Sequence, residues 1–322
     1  MSYTNCSIMQ KLLLLLLIGC AVQLQAQQEG QFSWFTYNQN FYNPAYAGAA
    51  DQGQLTLLHR QQWMGFEGAP TNTAIAFSTP LAGDRVGLGI GVQRFSQGIM
   101  DQYRANMAYS YSVPLTPDVR LRLGLQGAIH YYRMDLSDPD LVTDQILDPS
   151  IPLGQMIDRY TGNVGAGLYL EVREQVFFGL SSPGFYPVSI GYNEEVLRSA
   201  EEAPHVYAYG GGRFEINENL VFRPAILMSY ASNAPITTVV NTSLIVKEAF
   251  LGGISGRFGS GGGIESLNFM VGYQAAERLM IGAAYDLGLS ELRDFHSGSA
   301  ELLVRYGLGS SKENLENPRF FN

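Results

Sequence analysis

The sequence predicts an all-β fold: a transmembrane antiparallel β-barrel of about fourteen strands, with periplasmic termini and long extracellular loops. Three observations lead there. Apolar and polar residues alternate with period two along much of the chain. The connections between these runs are alternately short and long. The composition is poor in charge and rich in glycine and aromatics, and past the leader no segment is long and apolar enough for a membrane helix.

The alternation is clearest at 85–95. There Val86, Leu88, Ile90 and Val92 face one way, and Gly87, Gly89, Gly91 and Gln93 the other. At 119–133, Val119, Leu121, Leu123, Leu125, Ile129 and Tyr131 oppose Arg120, Arg122, Gln126, His130 and Tyr132. Val164, Ala166, Leu168, Leu170 and Val172 oppose Asn163, Tyr169, Glu171 and Arg173. The last clear run sets Ala300, Leu302, Val304, Tyr306 and Leu308 against Ser299, Glu301, Leu303 and Arg305. Successive strand side chains point to opposite faces, so each run is a strand with one apolar and one polar face. About fourteen such strands begin near Gln54, Thr71, Arg85, Tyr103, Val119, Gly162, Val176, His205, Leu220, Thr237, Ala249, Glu265, Leu279 and Ser297. The strand at Leu220 contains Pro224, which cannot donate to a ladder.

Every second connection is short: 79–84, 114–118, 173–175, 216–219, 247–248 and 274–278. The others include the long stretches 136–161 and 183–204, with 256–264 and 287–296 on the same side. Outer-membrane barrels have an even strand count, short periplasmic turns and longer outer loops. A closed ring also hides every strand edge from lipid. The apolar face then meets lipid and the polar face lines the lumen. Tyr132, Phe177, Tyr209, Phe222, Phe269, Tyr285 and Tyr306 are candidates for the interfacial aromatic girdles.

Charged residues make up 15% of the chain, against roughly 25% in ordinary soluble domains. Gly, Tyr and Phe number 36, 19 and 17. Lys11, the 12–18 apolar run and Leu24-Gln25-Ala26 read as a signal peptide over residues 1–26, cleaved after Ala26. Leu17-Ile18-Gly19-Cys20 keeps a second route open, lipoprotein processing at Cys20. Cleavage after Ala26 removes both cysteines, Cys6 and Cys20, and with them disulfides, thiolate metal sites and cysteine nucleophiles. Lys11 is the one charge lost, so the net charge moves from −9 to −10. That balance gives no sign of nucleic-acid binding. The remaining chain divides into 27–52, an N-terminal periplasmic or plug segment, the barrel at 53–309, and a C-terminal tail at 310–322.

No catalytic, cofactor or metal site is expected. His59, His130, His205 and His296 show no zinc-ligand spacing, and no pattern picks out a Ser-His-acid triad. Gly87-Leu88-Gly89-Ile90-Gly91 lies within a strand with no helix after it. Gly259 to Gly263 lacks the Lys-Ser/Thr ending of a phosphate loop and reads as a loop tip. Two other stretches stand out. Phe41-Tyr42-Asn43-Pro44-Ala45-Tyr46-Ala47-Gly48 combines a turn start with aromatics that must pack on something, either as a plug or brace or as a periplasmic docking element. The stretch from His59 to Pro70 ends the first strand and forms the first loop; Arg60 and Gln62 are expected to line the lumen, with Trp63 at an interface.

These stretches carry a resemblance. Asn43, Pro44, Tyr46 and Gly48, then Arg60, Gln62, Trp63, Gly65, Gly68 and Pro70, resemble the motifs of the PorP/SprF family of Bacteroidetes outer-membrane proteins. Thr79-Pro80-Leu81 with Val86-Gly87-Leu88-Gly89, Gly124-Leu125-Gln126-Gly127 with Tyr132-Arg133, and Asn317-Pro318-Arg319-Phe320 continue the match. Tyr37-Asn38-Gln39-Asn40 and the long stretch 183–204 depart from it. The resemblance implies a barrel of the type IX secretion and gliding-motility machinery, in the cell outer membrane. It implies help in exporting or anchoring a surface adhesin. The implied partners are the adhesin's C-terminal sorting domain or type IX periplasmic components, besides membrane lipid. The motif residues would be structural or partner-docking. A passive channel for small solutes is the alternative, since a barrel of this size encloses a lumen; an outer-membrane hydrolase is a third reading.

Overall fold

The structure, a computed structural model, describes residues 31–82, 84–137, 155–189, 201–232, 234–259, 263–289 and 291–308. The leader, the tail and parts of the two longest connections lie outside these. The strands are β1 (Gly53–Gln61), β2 (Thr71–Leu81), β3 (Val86–Gln97), β4 (Met100–Thr116), β5 (Val119–Asp135), β6 (Met156–Val172) and β7 (Val176–Ser182). They continue as β8 (His205–Gly212, resumed after Arg213 as Phe214–Asn217), β9 (Leu220–Ala231), β10 (Thr237–Val246), β11 (Phe250–Phe258), β12 (Ile264–Ala276), β13 (Leu279–Gly288) and β14 (Ser299–Leu308).

Each strand pairs antiparallel with its neighbours in sequence, and β1 pairs with β14, from Gly53 opposite Leu308 to Gln61 opposite Ala300. The ring of fourteen is therefore closed. Both ends of the wall lie on the rim of short turns, which the general rule places in the periplasm. Closure satisfies the edge groups that an open sheet would leave in hydrocarbon.

The alternation sorts the side chains as a membrane barrel requires. Met107, Leu125, Ile129, Val271 and Leu302 are exposed on the outside, while Arg122, Gln126, Asn268, Glu301 and Arg305 are buried inside. No helix among the described residues is long and apolar enough to cross a membrane. All fourteen expected strands are present. Two begin earlier than the sequence suggests: β4 at Met100 and β6 at Met156. There the pairing of β5 with β6 runs on to Asp135 opposite Met156, through polar residues that break the apolar rhythm. Pro224 is accommodated because it falls in the gap between Ala225, opposite Gly211, and Phe222, opposite Phe214, where β8 does not keep its ladder.

The girdle expectation needs correcting. Tyr132 and Tyr209 are buried in the lumen, and Phe177 packs against Tyr209 at 6.1 Å between ring centres. The outer face of β4, β5 and β6 instead carries Tyr103, Tyr131 and Tyr160, stacked at 5.8 and 4.6 Å between ring centres. A one-residue step moves a strand side chain to the other face, so choosing Tyr132 over Tyr131 inverted the assignment. Phe269, Tyr285 and Tyr306 do face outward.

Candidate functional site: a filled lumen

Residues 31–52 do not hang below the barrel. They turn up into it through a 3₁₀ turn (Phe35–Tyr37), one helical turn α1 (Gln39–Tyr42) and a second 3₁₀ turn (Pro44–Tyr46). The last is built by local chemistry. Asn43 caps it, its Oδ1 accepting from the Ala45 N–H at 2.9 Å, and Pro44 supplies the first-turn φ. Phe32, Trp34, Phe35, Tyr37, Phe41, Tyr42 and Tyr46 are all buried. They form two apolar clusters with inward residues of the wall, one with Leu58, Met280 and Leu303, the other with Tyr169, Tyr207 and Leu227.

The wall is shaped to receive this segment. A methyl group at Gly87 would lie 1.9 Å from the Ala47 carbonyl oxygen, one at Gly124 2.1 Å from the Ala45 nitrogen, and one at Gly167 2.0 Å from Asn43 Oδ1. Gly282 makes the same allowance for the Trp34 ring, at 2.9 Å. The glycine alternation of β3 is thus a seat for the plug: Gly87 meets the Ala47 backbone, Gly89 the Ala47 methyl and Gly91 the Phe41 ring. Hydrogen bonds complete the fit. Ser110 Oγ donates to the Ala47 carbonyl at 2.6 Å, Ser181 Oγ to the Tyr42 carbonyl at 2.7 Å, and Asn43 Nδ2 to the Leu168 carbonyl at 2.8 Å; the Gly48 N–H donates to Ser78 Oγ at 2.8 Å.

Higher in the lumen, Arg60 bridges two acids. Its Nη2 meets Asp286 at 2.7 Å and its Nη1 meets Glu301, with all three side chains buried. Glu301 also accepts from the Ser33 N–H and hydroxyl, each at 2.9 Å. The Arg223 guanidinium donates to the Tyr37 hydroxyl at 2.6 Å, and Arg305 lies over the same ring at 5.4 Å. Burial holds the Tyr37 phenol above its ordinary value, against the pull of Arg223 and Arg305.

Asn43, Pro44, Tyr46 and Gly48 therefore all sit in the plug, and Arg60 lines the lumen beside its tip. Gln62 does not join them. It is past the strand end, half-buried, and its N–H donates to the Pro70 carbonyl at 2.9 Å, closing the base of the first loop. Trp63 stacks on His296 of the last loop at 6.0 Å. Met64 exchanges backbone hydrogen bonds with the 297–298 backbone. Gly65 and Gly68 take φ of 90° and 69°, and the Gly68 carbonyl accepts from Gly98. The first loop thus ties the two sides of the β1–β14 seam together.

Sequence reasoning missed the outer mouth. After Ser182 the chain turns inward, and Glu202 accepts from Gln102 at 3.0 Å, from Arg104 at 3.1 Å and from Tyr132. Behind it is a recess of about 30 Å³ lined by His130, His205, Asn163 and Tyr186. No sequence signal joins Glu202 to Arg104 across about a hundred residues. The other two histidines lie elsewhere: His59 bonds Thr73 on the outer face, and His296 lies under Trp63. Among the described residues no group of three His, Cys, Asp or Glu is placed to hold a metal ion.

The fold and its contents define an outer-membrane barrel with an internally filled lumen. The chain belongs to the family of type IX secretion system membrane proteins PorP/SprF, whose model matches residues 24–306. A comparison with curated proteins found no match. Among solved structures, the CymD monoaromatic hydrocarbon channel is similar at TM-score 0.51 and 10% identity, covering 84% of this chain and 93% of that one. The P. putida toluene transporter TodX gives 0.50 and 11%, with the same coverage. Identities this low speak for the barrel fold alone. The protein is an outer-membrane component of type IX secretion.

Proposed function

We propose that this barrel binds a secreted surface adhesin, through its C-terminal sorting domain or through type IX periplasmic components, and helps export or anchor it. The observation that carries the reading is the filled lumen. Residues 31–52 fill its interior with aromatic side chains, so the closed form works through its rims, not as an open pore. Recognition would be by interface: loops at the outer rim, and the turns with the 53–54 and 307–308 backbone at the inner. The reading gives the barrel a binding role without catalysis of its own. The same filling counts against a passive channel.

The test is a tagged barrel isolated from native membranes in mild detergent, with mass spectrometry of its companions, beside a deletion strain scored for surface adhesins. Recovery of a large secreted adhesin or periplasmic machinery, with loss of display on deletion, supports the proposal. A barrel recovered alone, with display intact in the deletion strain, overturns it.

A further inference from the structure

The two halves of the plug are held in different ways. From Tyr42 to Gly48 the backbone is fastened to Ser78, Ser110 and Ser181 and pressed onto Gly87 and Gly124, while the Asn43 side chain donates to the Leu168 carbonyl and lies against Gly167; at none of these glycines does a methyl group fit. From Trp34 to Asn40 the polar atoms fare worse. Trp34 Nε1, both amide atoms of Asn38, Gln39 Oε1 and Asn40 Oδ1 are buried without a protein hydrogen-bond partner among the described residues. So are the amide atoms of Asn268, Asn106 Oδ1 and Arg257 Nε on the wall. A buried polar network left partly unsatisfied favours any state that hydrates it. Among the described residues, the polar ties of this half to the wall include Gln31 to Ser229 at 2.8 Å, Ser33 to Glu301, and Tyr37 to Arg223 and Arg305.

We infer that residues 31–40 are a gate that swings on the fixed 42–48 segment and opens an anion-preferring path through the lumen, with the Ser33–Glu301 contact as its latch. The charge of that path follows from what the gate now covers. Among the described residues around it, Arg60 pairs with Asp286 and Glu301, Arg223 and Arg305 lie on Tyr37 with Arg213 near, and Arg257 stands near Asp286, Glu301 and Glu265: five arginines against three carboxylates. The surplus is positive, and a confined positive surplus admits anions over cations. The inference stands apart from the partner reading: a barrel that captures an adhesin yet never conducts would sink the gate alone.

The test is conductance of the mature protein in planar bilayers under a potassium chloride gradient. The intact barrel is expected to stay closed for most of the record. Ser33→Pro removes both donors to Glu301, and Glu301→Ala removes the acceptor; each is expected to raise the open fraction roughly tenfold, the scale of losing a charge-assisted hydrogen bond. Deletion of 27–40, with barrel integrity checked by heat-modifiable gel mobility, should conduct steadily with a reversal potential on the chloride side. Adding Arg223→Ala and Arg305→Ala to that deletion should move the reversal potential toward potassium. A folded deletion variant that stays silent, or one that is cation-selective, overturns the inference.

Discussion

A methyl group at Gly124 would lie 2.1 Å from the main-chain nitrogen of Ala45. Seventy-nine positions apart in the chain, the two residues are packed backbone to backbone. Gly124→Ala is therefore expected to push the 43–48 turn off its seat while the wall survives, since residue 124 keeps ordinary strand geometry. Gly87→Ala should act alike, at 1.9 Å from the Ala47 carbonyl. Limited proteolysis checks this: cleavage within 31–52 should rise with the heat-modifiable mobility of the barrel intact. Unchanged protection would show that the seat is not shaped by these glycines.

The two faces of β5 should answer differently to the same change. Leu125 is 64% exposed to the lipid side, whereas Gln126 is buried in the lumen and donates to the Pro183 carbonyl at 2.8 Å. Leu125→Arg should cost about 2–4 kcal/mol at the bilayer midplane. Gln126→Ala should cost about 0.5–1.5 kcal/mol, the net worth of one hydrogen bond. Urea unfolding in lipid vesicles measures both.

Arg60 holds Glu301 and Asp286 together in a buried site. Arg60→Ala leaves two carboxylates without their shared counter-charge, and the expected loss is about 3–5 kcal/mol. Arg60→Lys should recover only part, because a single ammonium lacks the fork that reaches both acids. Folding yield and urea midpoint would show the order wild type, Lys, Ala.

The turn between β10 and β11 takes φ of 51° and 54° at Lys247 and Glu248. Left-handed backbone at both central positions is the type I′ turn, which Asn-Gly fills with less strain. Replacing the pair by Asn-Gly should stabilise the barrel by about 0.5–1 kcal/mol. A lower urea midpoint would contradict that reading of the turn.

Local pattern made the wall legible. Period-two alternation at Val86 to Val92 or Ala300 to Leu308 needs no long-range knowledge, and the turn lengths supplied the topology. The early start of β6 was hidden because Asp158, Arg159 and Thr161 stand beyond the apolar band, where alternation carries no signal. The girdle was misread because tyrosine suits lipid interface and lumen alike, and only register separates Tyr131 from Tyr132. Asn43 to Gly48 announced a turn with aromatics to bury, yet nothing local said against what. Glu301 reads as one more polar residue on the inner face of a strand; its contacts with Ser33 and Arg60 exist only once the ring is shut.

The seats for residues 31–48 are supplied by strands from β2 to β14, and Ser33 meets Glu301 across 268 positions. A segment that precedes every wall strand in the chain thus completes its packing only once the ring is shut. Its seven large aromatic side chains travel the periplasm with nothing of their own to pack on, and long-range contacts of this kind form slowly. Whatever carries the unfolded chain to the outer membrane must keep this short stretch from sticking elsewhere, and must let go of it only as the ring shuts.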